Sequence, residues 1–179
     1  MRRITVGIAA LGIFLTLAAR PAGAQARGYV GFGGGVGFPT AEYNTLVKTG
    51  WLGQVVAGIT GPRGRFGGRI DGTFAKNNLE IGGGYDRFLG VMADLVLSPK
   101  TGRARTRPYL LGGIGFQSGK NSVFQTTDTK FAFNAGVGVT IKLGTQTSVY
   151  AEGRFLSVRT SPDAFNMFPI SAGLRLGGR

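Results

Sequence analysis

The sequence predicts an all-β chain, an eight-stranded antiparallel up-and-down barrel that crosses a membrane. Three observations carry that expectation. Apolar side chains alternate with small or polar ones through eight segments of about ten residues, the length a tilted strand needs to span a bilayer. Of the 179 residues 33 are Gly, scattered through every apolar stretch, which a helix tolerates poorly. The connections between segments alternate in length.

Residues 1–26 are expected to be a cleaved secretory signal peptide. Arg2 and Arg3 form a basic start, Ile4 to Ala19 is an apolar run, and Arg20-Pro21 breaks it. Ala22-Gly23-Ala24 and Ala24-Gln25-Ala26 then offer small-x-small cleavage sites. The competing reading is an uncleaved anchor, but the run is short for a span. Cleavage after Ala26 lowers the formal net charge from +13 to +10 and leaves residues 27–179 as an exported barrel domain.

The strands follow in order. Val30, Phe32, Val36 and Phe38 alternate with Gly31, Gly33, Gly35 and Gly37 in the first. Trp51, Val55, Ala57 and Ile59 share a face of the second; Phe66, Ile70 and Phe74 of the third; Leu89, Val91, Ala93, Leu95 and Leu97 of the fourth. Leu110, Ile114 and Phe116 mark the fifth, and Phe131, Phe133, Ala135, Val137, Val139, Ile141 and Leu143 the sixth, where alternation is clearest. Val149, Ala151 and Phe155 mark the seventh; Phe168, Ile170, Ala172, Leu174 and Leu176 the eighth.

After the second, fourth and sixth strands come Gly61-Pro62-Arg63-Gly64, Ser98 to Arg107, and Gly144-Thr145-Gln146. Longer polar stretches follow the others: Thr40 to Gly50, Lys76 to Gly84, Gln117 to Thr129, and Arg159 to Asn166. Short turns at one rim and longer loops at the other place both termini in the periplasm. With that orientation every strand carries an outward aromatic near its outer end, a girdle of Phe38, Trp51, Phe74, Tyr85, Phe116, Phe131, Phe155 and Phe168. At the opposite rim only Phe66 does so.

Parity also distinguishes a membrane barrel from a soluble one, whose lumen is apolar and exterior charged. Here the apolar face is nearly free of charge, while Arg69, Asp71, Asp94, Glu152, Arg154 and Arg175 fall inside. Ions withdrawn from bulk water need partners. Hairpin adjacency lets Arg69 and Asp71 reach Asp94, and Glu152 and Arg154 reach Arg175.

These patterns resemble the small outer-membrane β-barrel domain family, eight-stranded barrels such as the OmpA membrane domain, OmpX and the opacity proteins. The resemblance rests on the Gly-rich first strand, on Pro108 to Phe116, on Phe133 to Val139, and on Phe168 to Leu176. It implies a bacterial outer-membrane location and assembly by the barrel-assembly machinery. Such barrels commonly end on an aromatic; this chain ends Leu176-Gly177-Gly178-Arg179.

Catalysis has little to stand on. The chain has no His and no Cys, which removes His-assisted Ser122, Ser148 or Ser171, thiolate chemistry and disulfides. The acids Asp71, Asp94 and Glu152 share their face with three arginines and read as a structural network. Gly119-Lys120 lacks the P-loop's first Gly, since Ile114 stands there, and Gly33-Gly34-Gly35 lacks dinucleotide-binding spacing. No catalytic residue, cofactor or metal is expected.

Eight strands enclose a lumen that side chains fill. Inward Tyr29, Tyr109 and Tyr150 plug the periplasmic end, and small residues beside Gly35 and Gly37 leave room for a shallow outward pocket. The expected role is structural or surface-interacting; the alternative is a narrow, porin-like channel or small-ligand carrier. The pI of about 11.1 reflects a basic periplasmic rim, Arg63, Arg65, Lys100, Arg103, Arg105, Arg107 and Lys142, joined by Arg27, Arg175 and Arg179. It suits anionic lipid head groups or another periplasmic polyanion, or serves as a solubilising fringe. The loops are nearly balanced, with six bases (Lys48, Lys76, Arg87, Lys120, Lys130, Arg159) against five acids (Glu42, Glu80, Asp86, Asp128, Asp163). Expected partners are outer-membrane lipids and an extracellular ligand for the loops, with no nucleic acid, and the expected state is a monomer.

Overall fold

A computed structural model describes residues 26–40, 49–62, 64–78, 85–99, 105–121, 127–159 and 164–177. The expected signal peptide therefore lies outside the described residues, apart from Ala26. Eight strands run in chain order: β1 (Arg27–Pro39), β2 (Gly50–Thr60), β3 (Phe66–Asn78), β4 (Tyr85–Leu97), β5 (Thr106–Asn121), β6 (Thr127–Lys142), β7 (Thr147–Arg159) and β8 (Ala164–Gly177). Each pairs antiparallel with its sequence neighbours, and β8 closes on β1. Closure leaves no sheet edge, so the strand backbones satisfy their hydrogen bonds without water, which hydrocarbon requires.

The register is staggered around the barrel. Following paired residues from Tyr29 leads through Gly58, Arg69, Asp94, Gly113, Asn134, Leu156 and Met167 to Pro39, ten residues further along β1. A stagger of that size tilts the strands by about 40°. The outward face runs from Phe66 to Phe74 on β3 and from Leu176 to Phe168 on β8. Those spans rise about 20 Å along the barrel axis once the tilt is allowed for, close to the apolar band of outer-membrane barrels.

The predicted outward faces are the exposed ones. Val55 is 65% exposed and its inward neighbour Val56 0%. The same contrast separates Phe131, Phe133 and Val137 from buried Ala132 and Asn134. Every outward side chain is apolar or small between the two rims because hydrocarbon offers a charge no partner.

The connections differ from the sequence expectation. Strands β5 and β6 continue their pairing past the Phe116–Phe131 pair to Lys120 and Thr127, leaving only residues 122–126 between them. Similarly β3 extends to Asn78, and residues 160–163 alone separate β7 from β8. Three of the four outer connections are thus shorter than their polar stretches suggested, while residues 40–49 still separate β1 from β2. Polarity marks where the membrane ends; it does not mark where the backbone ladder ends. At the other rim, Gly64 adopts a positive φ of 67° and donates its N–H to the Gly61 carbonyl at 2.8 Å, closing the β2–β3 turn.

Candidate functional site

The lumen is filled in three layers. Midway along the span, Arg69, Asp71, Asp94, Glu152 and Arg154 form one ion network. Arg69 pairs in register with Asp94, and its Nη2 donates to Asp94 Oδ2 at 3.0 Å. The same nitrogen lies 3.2 Å from Asp71 Oδ2, while Nη1 donates across the lumen to Glu152 Oε2 at 2.8 Å. Arg154 answers from β7, donating through Nη1 to Asp71 Oδ2 at 3.0 Å and through Nε to Glu152 Oε1 at 3.0 Å. Its Nη2 also contacts Glu152. Asp71 is 1% exposed and Arg69 3%.

Adjacency predicts two clusters, one on each side of the barrel; the structure fuses them. β3 and β7 lie on opposite walls, yet an eight-stranded barrel is narrow enough for their side chains to meet. Arg154 turns to Asp71 in place of the expected β8 side. Glu152 becomes a shared acceptor that also takes hydrogen bonds from Gln54 Nε2 at 3.1 Å and Tyr109 Oη at 2.7 Å. Asn134 Nδ2 donates to Asp94 Oδ1 at 2.9 Å. Inward parity marks Gln54, Asn134 and Tyr109, but alternation carries no sign of their cross-lumen partners.

Below that network, towards the rim with the chain ends, Arg175 sits among three tyrosine rings. Its guanidinium carbon lies 5.2 Å from the Tyr29 centroid, 5.0 Å from Tyr109 and 4.5 Å from Tyr150, within cation–π range. Nη2 donates to Tyr109 Oη at 3.0 Å and Nη1 to Thr140 Oγ1 at 3.1 Å. Arg175 joins the central network at longer range, with Nη2 3.7 Å from Glu152 Oε2.

Above, the lumen carries a layer of apolar side chains, and the expected shallow pocket is reduced to a small cavity. Met92, Ala132 and Val158 form a buried cluster with Leu156 against it, and Leu52, Ala75 and Met167 are also buried. That cavity measures about 40 Å³, room for a few water molecules, and its lining adds polar Gln54, Gln117, Asn134 and Ser171 to the apolar side chains. Gly35 and Gly37 on β1 suggest open space in the sequence; the Met167 side chain on β8 fills the space beside Gly37, and the β8 backbone at Ile170 and Ser171 crowds Gly35.

Seven girdle aromatics have exposed side chains: Phe38, Trp51, Phe74, Phe116, Phe131, Phe155 and Phe168. Phe38 pairs with Phe168 across the β1–β8 seam. Trp51 and Phe74 have centroids 5.5 Å apart, and Phe116 and Phe131 meet edge to face at 6.0 Å. On β4 the residue paired with Phe74 is Leu89, so Tyr85 lies four residues beyond the ring. Of the basic rim, Arg65, Arg105 and Lys142 are exposed and Arg107 half-buried, while Arg63, Lys100, Arg103 and Arg179 lie outside the described residues.

Comparison with protein families matches residues 7–175 to the outer membrane protein beta-barrel domain. Comparison by sequence with curated proteins yields no match. Among solved structures, the barrel is similar to Neisserial surface protein A, with a TM-score of 0.68 and 14% identity over 87% of this chain and 99% of the other. It is also similar to Ail, the attachment invasion locus protein of Yersinia pestis, in complex with the heparin analogue sucrose octasulfate. That match has a TM-score of 0.57 and 14% identity over 84% of this chain and 99% of Ail. A major outer membrane protein from Thermus thermophilus gives 0.60 and 13% identity over 85% of this chain and 99% of the other.

Proposed function

The chain belongs to the outer membrane protein beta-barrel domain family, and we propose that it is a non-enzymatic integral barrel with a structural or surface-interaction role in the cell envelope. The observation that carries this reading is the occupied lumen. A tyrosine–arginine layer, a central ion network and an apolar layer stand in series along the axis, each built of buried side chains. Lumen carboxylates engaged by guanidiniums, in a chain without His, support a structural part for Asp71, Asp94 and Glu152 over a catalytic one.

On this reading residues 1–26 direct export and are removed, the barrel inserts as a monomer with the help of the assembly machinery, and the loops face outward to meet an extracellular ligand. The basic rim then lies at the periplasmic leaflet against anionic lipid head groups. Two similar barrels are named for surface location and attachment, which is compatible with the surface role.

Orientation is testable because the chain lacks Cys. Asp128→Cys, at the outer end of β6, is expected to react with a membrane-impermeant maleimide on intact cells. Gln146→Cys, in the β6–β7 turn, is expected to react only after the outer membrane is opened. The reverse pattern would place the loops in the periplasm and remove the surface role.

A further inference from the structure

We propose that the basic mouth of the lumen, at the rim bearing the chain ends, is a binding site for a phosphate group or a comparable tetrahedral oxyanion. The mouth holds a cavity of about 80 Å³, lined by Arg107, Lys142, Arg175, Tyr109, Thr60 and Thr140. Register gathers its cations. Lys142 and Arg175 both pair with Ser148, one from each side, and Arg107 pairs with Thr140, two residues from Lys142.

The cations are available in a way that those of the central network are not. Arg69 and Arg154 are committed to carboxylates; among the described residues, no ion pair engages Arg107 or Lys142. Among the described residues, the carboxylate paired with Arg175 belongs to Glu152, 3.7 Å away and already occupied by Arg69, Arg154, Gln54 and Tyr109.

Two donors on the cavity wall are also unspent. The Nε of Arg107 and the Nε of Arg175 are buried without a hydrogen-bond partner, and Arg175 is 8% exposed. Buried donors in native proteins are nearly always paired, so acceptor oxygens brought into the cavity would complete the site. Arg107 is also held in place: a β-carbon at Gly64 would lie 3.1 Å from its Nη1, so the guanidinium rests against the β2–β3 turn. The guanidinium fork of Arg107 matches a tetrahedral oxyanion by two parallel hydrogen bonds. Arg175, whose Nη1 and Nη2 already donate to Thr140 and Tyr109, offers its Nε, and Lys142 adds an exposed ammonium at the entrance.

The site rests on the lumen's geometry; that it opens to the periplasm rests on the orientation proposed above. Titrating inorganic phosphate into the barrel in phosphatidylcholine nanodiscs, followed by phosphorus-31 line broadening, separates the two, since phosphate reaches both rims. Saturable broadening is expected from the native chain. The Arg107→Gln/Lys142→Gln variant should weaken it about ten-fold or more, and Lys142→Gln alone by less. Arg27→Gln/Arg65→Gln should leave it unchanged, with the barrel's heat-modifiable gel shift certifying every variant. Nanodiscs containing phosphatidylglycerol identify the source of the anion: suppression of the phosphate signal assigns a lipid head group, and persistence assigns a soluble oxyanion. Native chain without saturable broadening, or equal loss in the Arg27/Arg65 variant, would overturn the site.

Discussion

Arg69 is bonded to Asp71, Asp94 and Glu152 at once, so removing it leaves three carboxylates sharing the single remaining central base, Arg154. Arg69→Met is expected to cost about 3–5 kcal/mol, because the partner charges stay buried without compensation. The midpoint of urea unfolding in detergent, read by the gel shift, measures it. Lys130→Met breaks the exposed 3.0 Å pair with Asp128 and should cost about 0.5 kcal/mol or less by the same assay. Glycines give a second contrast. A β-carbon at Gly138 would lie 2.5 Å from Tyr109 Oη, which cannot retreat because it is bonded to both Glu152 and Arg175. Gly138→Ala should therefore lose about 1–3 kcal/mol. Outward Gly72 has nothing within 4 Å of its β-carbon position, so Gly72→Ala should be neutral or gain up to about 1 kcal/mol. Parity in the sequence marks the six lumen ions. It does not reveal that Arg69 and Glu152, 83 residues apart, meet across the barrel, since that contact depends on closure and lumen width.

Strands were legible wherever hydrocarbon imposes a contrast between their two faces. The outward sets on β2, β4 and β6 could be read directly because each lipid-facing position must be apolar or small. Beyond the aromatic ring both faces meet water and the contrast disappears, yet β5 and β6 keep pairing as far as Lys120 and Thr127. That explains why polar stretches read as loops fold as strand. The ring can be placed in depth with the chain's single Trp. Trp51, packed against Phe74, is expected to be quenched more strongly by lipids brominated near the head group than near the bilayer centre. Strongest quenching by the centre-brominated lipid would contradict the ring's interfacial position and the span measured from Phe66 to Phe74.

Closure, a ten-residue stagger and a narrow lumen together turn separate inward side chains into a layered plug. Eight-strandedness was legible from counting alternating segments, and the three tyrosines at the rim with the chain ends were legible as lumen-filling side chains. The apolar upper layer was not, because the glycines of β1 suggest emptiness, whereas the bulky inward residues of β2, β4, β7 and β8 supply the filling. On the proposed reading the barrel holds its shape and meets its partners at the two rims, with nothing passing through a sealed lumen. Single-channel recording of the refolded protein in planar bilayers tests that most directly. Insertion without stable conductance steps is the predicted result, and Arg69→Met that still folds should stay equally silent because the upper layer remains. Reproducible unitary steps from the native chain would contradict the sealed lumen and make the barrel a channel.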